Sequence, residues 1–170
     1  MKVFIKLALV FFFGGIFGGL LEIGYQVVTS DHIVLGGFLY GPFRPIYGTG
    51  FLIIYLLSRK ISKNPFIIFF VSFLVCSIFE YSVSFFLEKI FNTTWWDYSN
   101  FYLNLNGRIC IMVSLFWGLL GLVFIKLLIP IYDKLYDKLN KNVVSMFLVL
   151  ASIAFFIDAF ISNIVHLSAR

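Results

Sequence analysis

The length of its apolar stretches limits this chain more than any single motif. Five of them, at residues 4–28, 33–57, 66–90, 109–130 and 143–167, fill most of the 170 residues. About 20 apolar residues in a helix cross the hydrocarbon core of a bilayer. The pattern therefore predicts an all-α, polytopic membrane helix bundle of five transmembrane segments, built as one integral-membrane domain over residues 1–170. Composition agrees: 61% of residues are hydrophobic and 12% charged, with a mean hydropathy of +1.00. A soluble domain carries about twice that share of charge. The stretch after Met1-Lys2 is too long for the apolar region of a secretory signal and no small-x-small cleavage site follows it, so it reads as an uncleaved first span.

The net charge of +5 fits membrane topology better than nucleic acid, because the basic residues lie between the spans. With the N-terminus cytoplasmic, Lys2, Lys6, Arg59, Lys60, Lys63, Lys126, Lys134, Lys138 and Lys141 fall inside. Arg44, Lys89, Arg108 and Arg170 fall outside, a split of nine against four. Five spans then place the C-terminus outside, and the lipid bilayer is the first partner. Cys76 and Cys110 sit in or beside apolar spans and read as small buried thiols.

The second span is irregular. Its unbroken part, 46–57, reaches only about 18 Å at 1.5 Å per residue. It is preceded by the breaker-rich run Gly36-Gly37-Phe38-Leu39-Tyr40-Gly41-Pro42-Phe43-Arg44-Pro45. Backbone of that kind sits at membrane depth only when buried in protein or lining a wet cavity. This predicts a broken or re-entrant second segment with its helix starting near Pro45, a favourable first-turn residue. An ordinary outer loop capping a short tilted helix is the alternative. On the inner side, Tyr132-Asp133-Lys134-Leu135 repeats as Tyr136-Asp137-Lys138-Leu139, an amphipathic helical extension.

Three spans carry one carboxylate each at a similar height. Counted from their inner ends, Glu22, Glu80 and Asp158 lie roughly 27, 21 and 22 Å up. Arg44 and Arg108 enter from the same side, so a mixed ionic layer is expected in the outer half of the bundle. Gly14, Gly15, Gly18 and Gly19 form a doubled G-x-x-x-G on the first span, which favours close helix packing and turns Glu22 inward. Cys76, Glu80, Ser84 and Glu88 make a polar stripe on the third span; Asp158, Ser162 and His166 make one on the fifth. Serine, histidine and aspartate spaced four apart on one helix lie about 6 Å apart along its axis, so the mutual hydrogen bonds of a hydrolytic triad are not expected. No Cys/His spacing matches a metal site, and no cofactor is expected. The layer is either a binding site for a polar or ionic solute or a set of buried ion pairs fixing helix register. Between spans three and four, Trp95, Trp96, Asp97 and Tyr98 form either an interfacial aromatic anchor or a lid over the outer site.

Several of these motifs also carry a resemblance. Gly37-Phe38-Leu39-Tyr40-Gly41-Pro42 and Pro45-Ile46-Tyr47-Gly48 resemble the bacterial family of putative ABC-transporter type IV proteins, the CmpB-like permeases. So do Glu80-Tyr81, Trp95-Trp96-Asp97-Tyr98-Ser99 and Leu103-Asn104-Leu105-Asn106-Gly107-Arg108-Ile109-Cys110, in the family's order. Family relatives often carry a basic residue before the GFL turn, where this chain has Gly36. The resemblance implies a multi-pass permease of the bacterial cytoplasmic membrane. No G-x-x-x-x-G-K-[ST] loop is present, so this chain is not itself an ATPase. A permease reading calls for a separate ATP-binding subunit at cytoplasmic loops 59–63 and 132–139, and for a second copy of the chain or another membrane partner to form a path. One rival reading is an intramembrane enzyme acting on a lipid or lipid-linked substrate at the outer leaflet, with Glu22 and Glu80 as acid and base and Arg44 and Arg108 holding a phosphate. Another is a non-catalytic membrane accessory protein.

Overall fold

The computed structural model describes residues 2–29 and 39–168. Among them, six α-helices follow one another: α1 (Lys2–Thr29), α2 (Pro45–Ser58), α3 (Pro65–Phe91), α4 (Ile111–Val123), α5 (Ile129–Lys138) and α6 (Lys141–Ser168). Between α3 and α4 stands a two-stranded antiparallel hairpin of β1 (Asn104–Leu105) and β2 (Ile109–Cys110). The expected all-α class holds.

Among the described residues, four of the five expected spans contain a helix long enough to cross by itself. Val3–Gly24, Pro65–Phe91, Ile111–Lys138 and Lys141–Val165 are long and apolar enough to cross a membrane. The second expected span is described only from residue 39 onward. Its helix, Pro45–Ser58, has 14 residues, which rise roughly 21 Å against a core of about 30 Å. The Pro45 start agrees with the sequence reading, whereas residues 33–38 of the expected span lie outside the described residues. The fourth span also shifts. Residues 109 and 110 are strand, because Gly107 takes a left-handed φ of +67° and turns the chain back to pair Asn104 with Cys110.

Local signals explain the other boundaries. Asn64 caps α3 by accepting from the Phe66 amide at 2.9 Å, ahead of Pro65 in the first turn. Asn92 closes the helix in the left-handed conformation, a common C-terminal device. The apolar helix of α4 runs on into α5 through a π-helical stretch, Phe124–Leu128, where the Ile129 amide donates to the Phe124 carbonyl. In a regular helix the Pro130 ring would clash with the carbonyl four residues earlier. Widening by one residue accommodates it.

The chain folds as two compact units, Met1–Thr49 with Tyr136–Arg170, and Gly50–Leu135. In the first, α1 meets α6 around a core of Phe12, Leu39, Phe43, Val144 and Leu148. The Phe43 ring lies 5.2–5.4 Å from those of Phe11, Phe12 and Phe155. The glycine face of α1 makes this possible. A β-carbon on Gly15 would strike Phe43, one on Gly18 Tyr47, and one on Gly19 the Pro42 carbonyl; Gly14 is buried as well. The partner of that face is the irregular 42–47 segment, and the Arg44 amide donates to the Gly15 carbonyl at 3.1 Å.

In the second unit α3 packs on α4. Gly118 receives Phe69 and Gly121 receives Ser72, while Ser77 donates to Ser114 across the helices at 2.7 Å. Phe51 stands edge-on to Phe124 at 4.3 Å. Both cysteines are free thiols buried in this unit. Large apolar side chains such as Ile78, Phe156 and Phe160 are 64–68% exposed, which suits hydrocarbon surroundings and not water.

Candidate functional site

Each unit contains a buried polar centre. In the first, the irregular segment Leu39–Arg44 is held from two sides. The Tyr40 and Gly41 amides donate to the two carboxylate oxygens of Asp158 at 3.1 and 3.0 Å. Ser162, wholly buried one turn further along α6, donates to the same carboxylate at 3.2 Å. Axial spacing alone does not predict this bond; it forms because side chains four apart lean towards each other on one face. From the α1 side, Glu22 accepts from Arg44 Nε at 3.1 Å, and Arg44 Nη1 donates to the Gly41 carbonyl at 2.8 Å. Arg44 is 6% exposed. A lone buried cation is costly, so the pairing with Glu22 is what allows it at this depth. Gly41 leaves no room for a side chain: a β-carbon there would come within 2.8 Å of Asp158 Oδ2. Three expected site residues, Glu22, Arg44 and Asp158, thus meet on one turn of backbone.

In the second unit the centre is Glu80, 4% exposed. Trp117 Nε1 donates to one oxygen at 2.7 Å and the Tyr98 hydroxyl to the other at 3.1 Å. A buried carboxylate needs its lone pairs met, and here one donor comes from α4 and the other from the loop. Arg108 lies elsewhere. It forms a salt bridge with Glu88 and stacks on the Tyr81 and Phe85 rings at 5.5 and 5.6 Å. The stripe 76–80–84–88 therefore splits: Cys76, Glu80 and Ser84 are buried, while Glu88, 39% exposed at its side chain, serves Arg108.

The loop joining α3 to the hairpin is a compact cap. The Tyr98 amide donates to the Gly107 carbonyl at 2.7 Å, and Trp96 Nε1 donates to the Arg108 carbonyl at 3.0 Å. Asn104 ties three groups together, donating to the Ser99 and Phe101 carbonyls and accepting from the Gly107 amide. Asp97 accepts from the Ser99 amide at 2.8 Å and from its hydroxyl. Those Ser99 bonds hold its fully exposed carboxyl below the usual aspartate range. Trp95 stacks edge-on to Phe91 at 6.1 Å. The two most distinctive sequence motifs, WWDYS and NLNGR, thus fold onto each other.

A family model described as Putative ABC-transporter type IV matches residues 9–163. The chain belongs to that family. No curated protein and no solved structure matches it. Membership covers both units of this ABC-transporter family protein, so both polar centres and the hairpin cap lie within the matched region. Together with four helices able to cross a bilayer, it makes the chain a multi-pass, transporter-type membrane protein.

Sequence reasoning missed Trp117 as a partner of Glu80 and Glu88 as the partner of Arg108. The first had a signal: an indole N–H inside an apolar span needs an acceptor. Glu88 stood on the recognised stripe without being matched to a cation. The side chain of His166 lies outside the described ones. Among the described residues, no group of three His, Cys, Asp or Glu side chains is placed to hold a metal ion.

At the other end of the second unit, Arg59 donates to Asp133 at 2.8 Å and to the Tyr55 hydroxyl at 2.9 Å. The Tyr55 hydrogen bond leads in raising its already high pKa, with Asp133 adding to it.

Proposed function

We propose that this protein is the membrane-embedded permease component of a bacterial transporter in the cytoplasmic membrane. In this reading its N-terminus is inside, its C-terminus outside, and the Glu22–Arg44–Asp158 centre receives the ionic part of a solute. The observation that carries the reading is Arg44, buried on non-helical backbone and fixed at once by Glu22 and the Gly41 carbonyl. Irregular backbone held at membrane depth by charged partners is how broken-helix transport sites are built. The centre holds two carboxylates and one guanidinium: Glu22 pairs with Arg44, and Asp158 is met by backbone amides alone on that segment. A proton or a cationic group of the solute would restore neutrality in a medium that penalises unpaired charge. Glu80, beneath the hairpin cap, is a second acid able to exchange a proton when Tyr98 withdraws, and Arg108 anchors that cap.

The energy source in this reading is a separate ATP-binding subunit docking at loop 59–63 and the 132–139 repeat, and two copies of the chain complete a path. The test is charge movement recorded from proteoliposomes on a solid-supported membrane, challenged with a panel of amino acids, polyamines and organic anions. We expect a response to one class that Arg44→Gln and Glu80→Gln abolish while both variants stay inserted and monodisperse. An unchanged response from a well-folded Arg44→Gln protein would sink the reading.

A further inference from the structure

The second unit contains a cleft that the transport reading does not use. It runs between α3 and the hairpin, has a volume of about 410 Å³, and is walled by Phe73, Leu74, Ile78, Leu103, Leu105 and Ile109. That volume falls within the roughly 300–1,000 Å³ typical of ligand sites. Its floor is not wholly apolar. Ser77 and Ser114 line it, and Ser77 donates to Ser114. Near the hairpin end Tyr81 forms part of the wall, and its ring carries the Arg108 guanidinium 5.5 Å from the centroid. Arg108 has five N–H donors. Glu88 takes one through Nη2, and Nε is buried without a hydrogen-bond partner.

The cleft opens on α3, a helix long and apolar enough to cross a membrane, beside Leu74 and Ile78, which are 54% and 64% exposed. In a bilayer the medium at that opening is hydrocarbon, so water does not fill it. We propose that the cleft is a binding site for one acyl chain of a glycerophospholipid from the leaflet that holds the hairpin, with the lipid phosphate at Arg108. The apolar walls take the chain. The spare guanidinium donors take the phosphodiester, a geometry in which arginine excels. Glu88 beside Arg108 keeps the local charge mixed, which suits a headgroup carrying both signs. The site differs from general lipid contact in being lined by α3, the hairpin and the start of α4, with the Arg108 cation against its Tyr81 wall, and so should hold a lipid in preference to its neighbours.

The experiment uses the full chain in phosphatidylcholine nanodiscs containing a small fraction of phosphatidylcholine with a mid-chain diazirine. After irradiation, adducts are mapped by mass spectrometry. We expect labelling at Leu74, Ile78 and Leu105 at least fivefold above that at Phe86, Phe156 and Phe160, which are comparably exposed, with adducts also at the half-buried Ile109. Ile78→Trp, at a mostly exposed position, should fill the mouth and bring cleft labelling down to the level of those three. A diazirine diacylglycerol, which lacks the phosphate, should label the cleft several-fold less, and Arg108→Gln should remove the difference between the two probes. Even labelling of all exposed apolar positions would overturn the site. So would an unlabelled cleft in which a second copy of the chain, detected as a crosslinked dimer, occupies the groove. Equal labelling by the two probes would overturn the phosphate contact at Arg108.

Discussion

Single residues here work through what they leave out as much as through what they contribute. Gly19 lets the Pro42 carbonyl approach α1, so Gly19→Ala forces backbone apart. The cost expected is about 1–3 kcal/mol, as for other overpacked sites. Gly24 lies on the same helix, and a β-carbon there would meet nothing within 4 Å. Gly24→Ala should be neutral or stabilise by up to about 1 kcal/mol through helix propensity. Reversible unfolding in mixed detergent micelles measures both, and equal effects would show that the glycine face is not a packing surface. Around Glu80 the question is one of donors. Tyr98→Phe removes one of its two hydrogen bonds, worth about 1.5–3 kcal/mol if the acid is charged. The same change in a Glu80→Gln background should cost clearly less. A double-mutant cycle with no coupling would mean that the tyrosine is held by its ring contacts alone.

At the scale of elements, the hairpin cap depends on two special positions. Gly107 has a φ of +67°, and a β-carbon there would come within 2.5 Å of Asp97 Oδ1 and 2.7 Å of Ser99 Oγ. Gly107→Ala should therefore loosen the cap and free Tyr98 from Glu80, seen as faster amide exchange over residues 97–110 with α6 unchanged. Asp97 gives the cap a pH dependence. Its carboxyl titrates lower in the folded cap than in the unfolded chain, because the charged form accepts from Ser99. The stabilisation is fully present above the ordinary aspartate value of about 4. It is lost as pH falls through the lower folded value. The protection factor of the Ser99 amide, corrected for the intrinsic pH dependence of exchange, should fall over that acidic window in the parent protein and stay flat in Asp97→Ala. An identical profile in both would assign the dependence to another group.

For the whole molecule, the short helix α2 decides how many times the chain crosses. Pro65–Phe91 and Ile111–Lys138 each have the length to cross; if both do, the chain before α3 and the chain after α5 lie opposite the hairpin. If α2 completes a crossing at roughly 21 Å, Lys2 shares the side of loop 59–63, as the distribution of basic residues requires. Single cysteines at positions 3, 62, 103 and 140, in a background lacking Cys76 and Cys110, would be labelled from outside with a membrane-impermeant maleimide. The expected outcome is labelling at 103 alone; labelling at 3 as well would mean that α2 turns back without crossing.

The apolar stretches, the Pro45 start, the inward glycine face of α1 and the family motifs were all legible in the sequence, because each depends on local composition or on helical spacing. Span length follows from hydrocarbon thickness, and G-x-x-x-G declares a close approach without naming the partner. The partners themselves were decided by the tertiary structure. Depth along each helix put Glu22, Glu80 and Asp158 at one height, yet it contains no information about rotation or about which loop folds back. Asp158 thus meets the Tyr40 and Gly41 amides, Arg108 takes Glu88, and Glu80 is held by Trp117 and Tyr98. These pairings join residues 18 to 118 positions apart, and only the path of the folded backbone brings them within hydrogen-bonding distance.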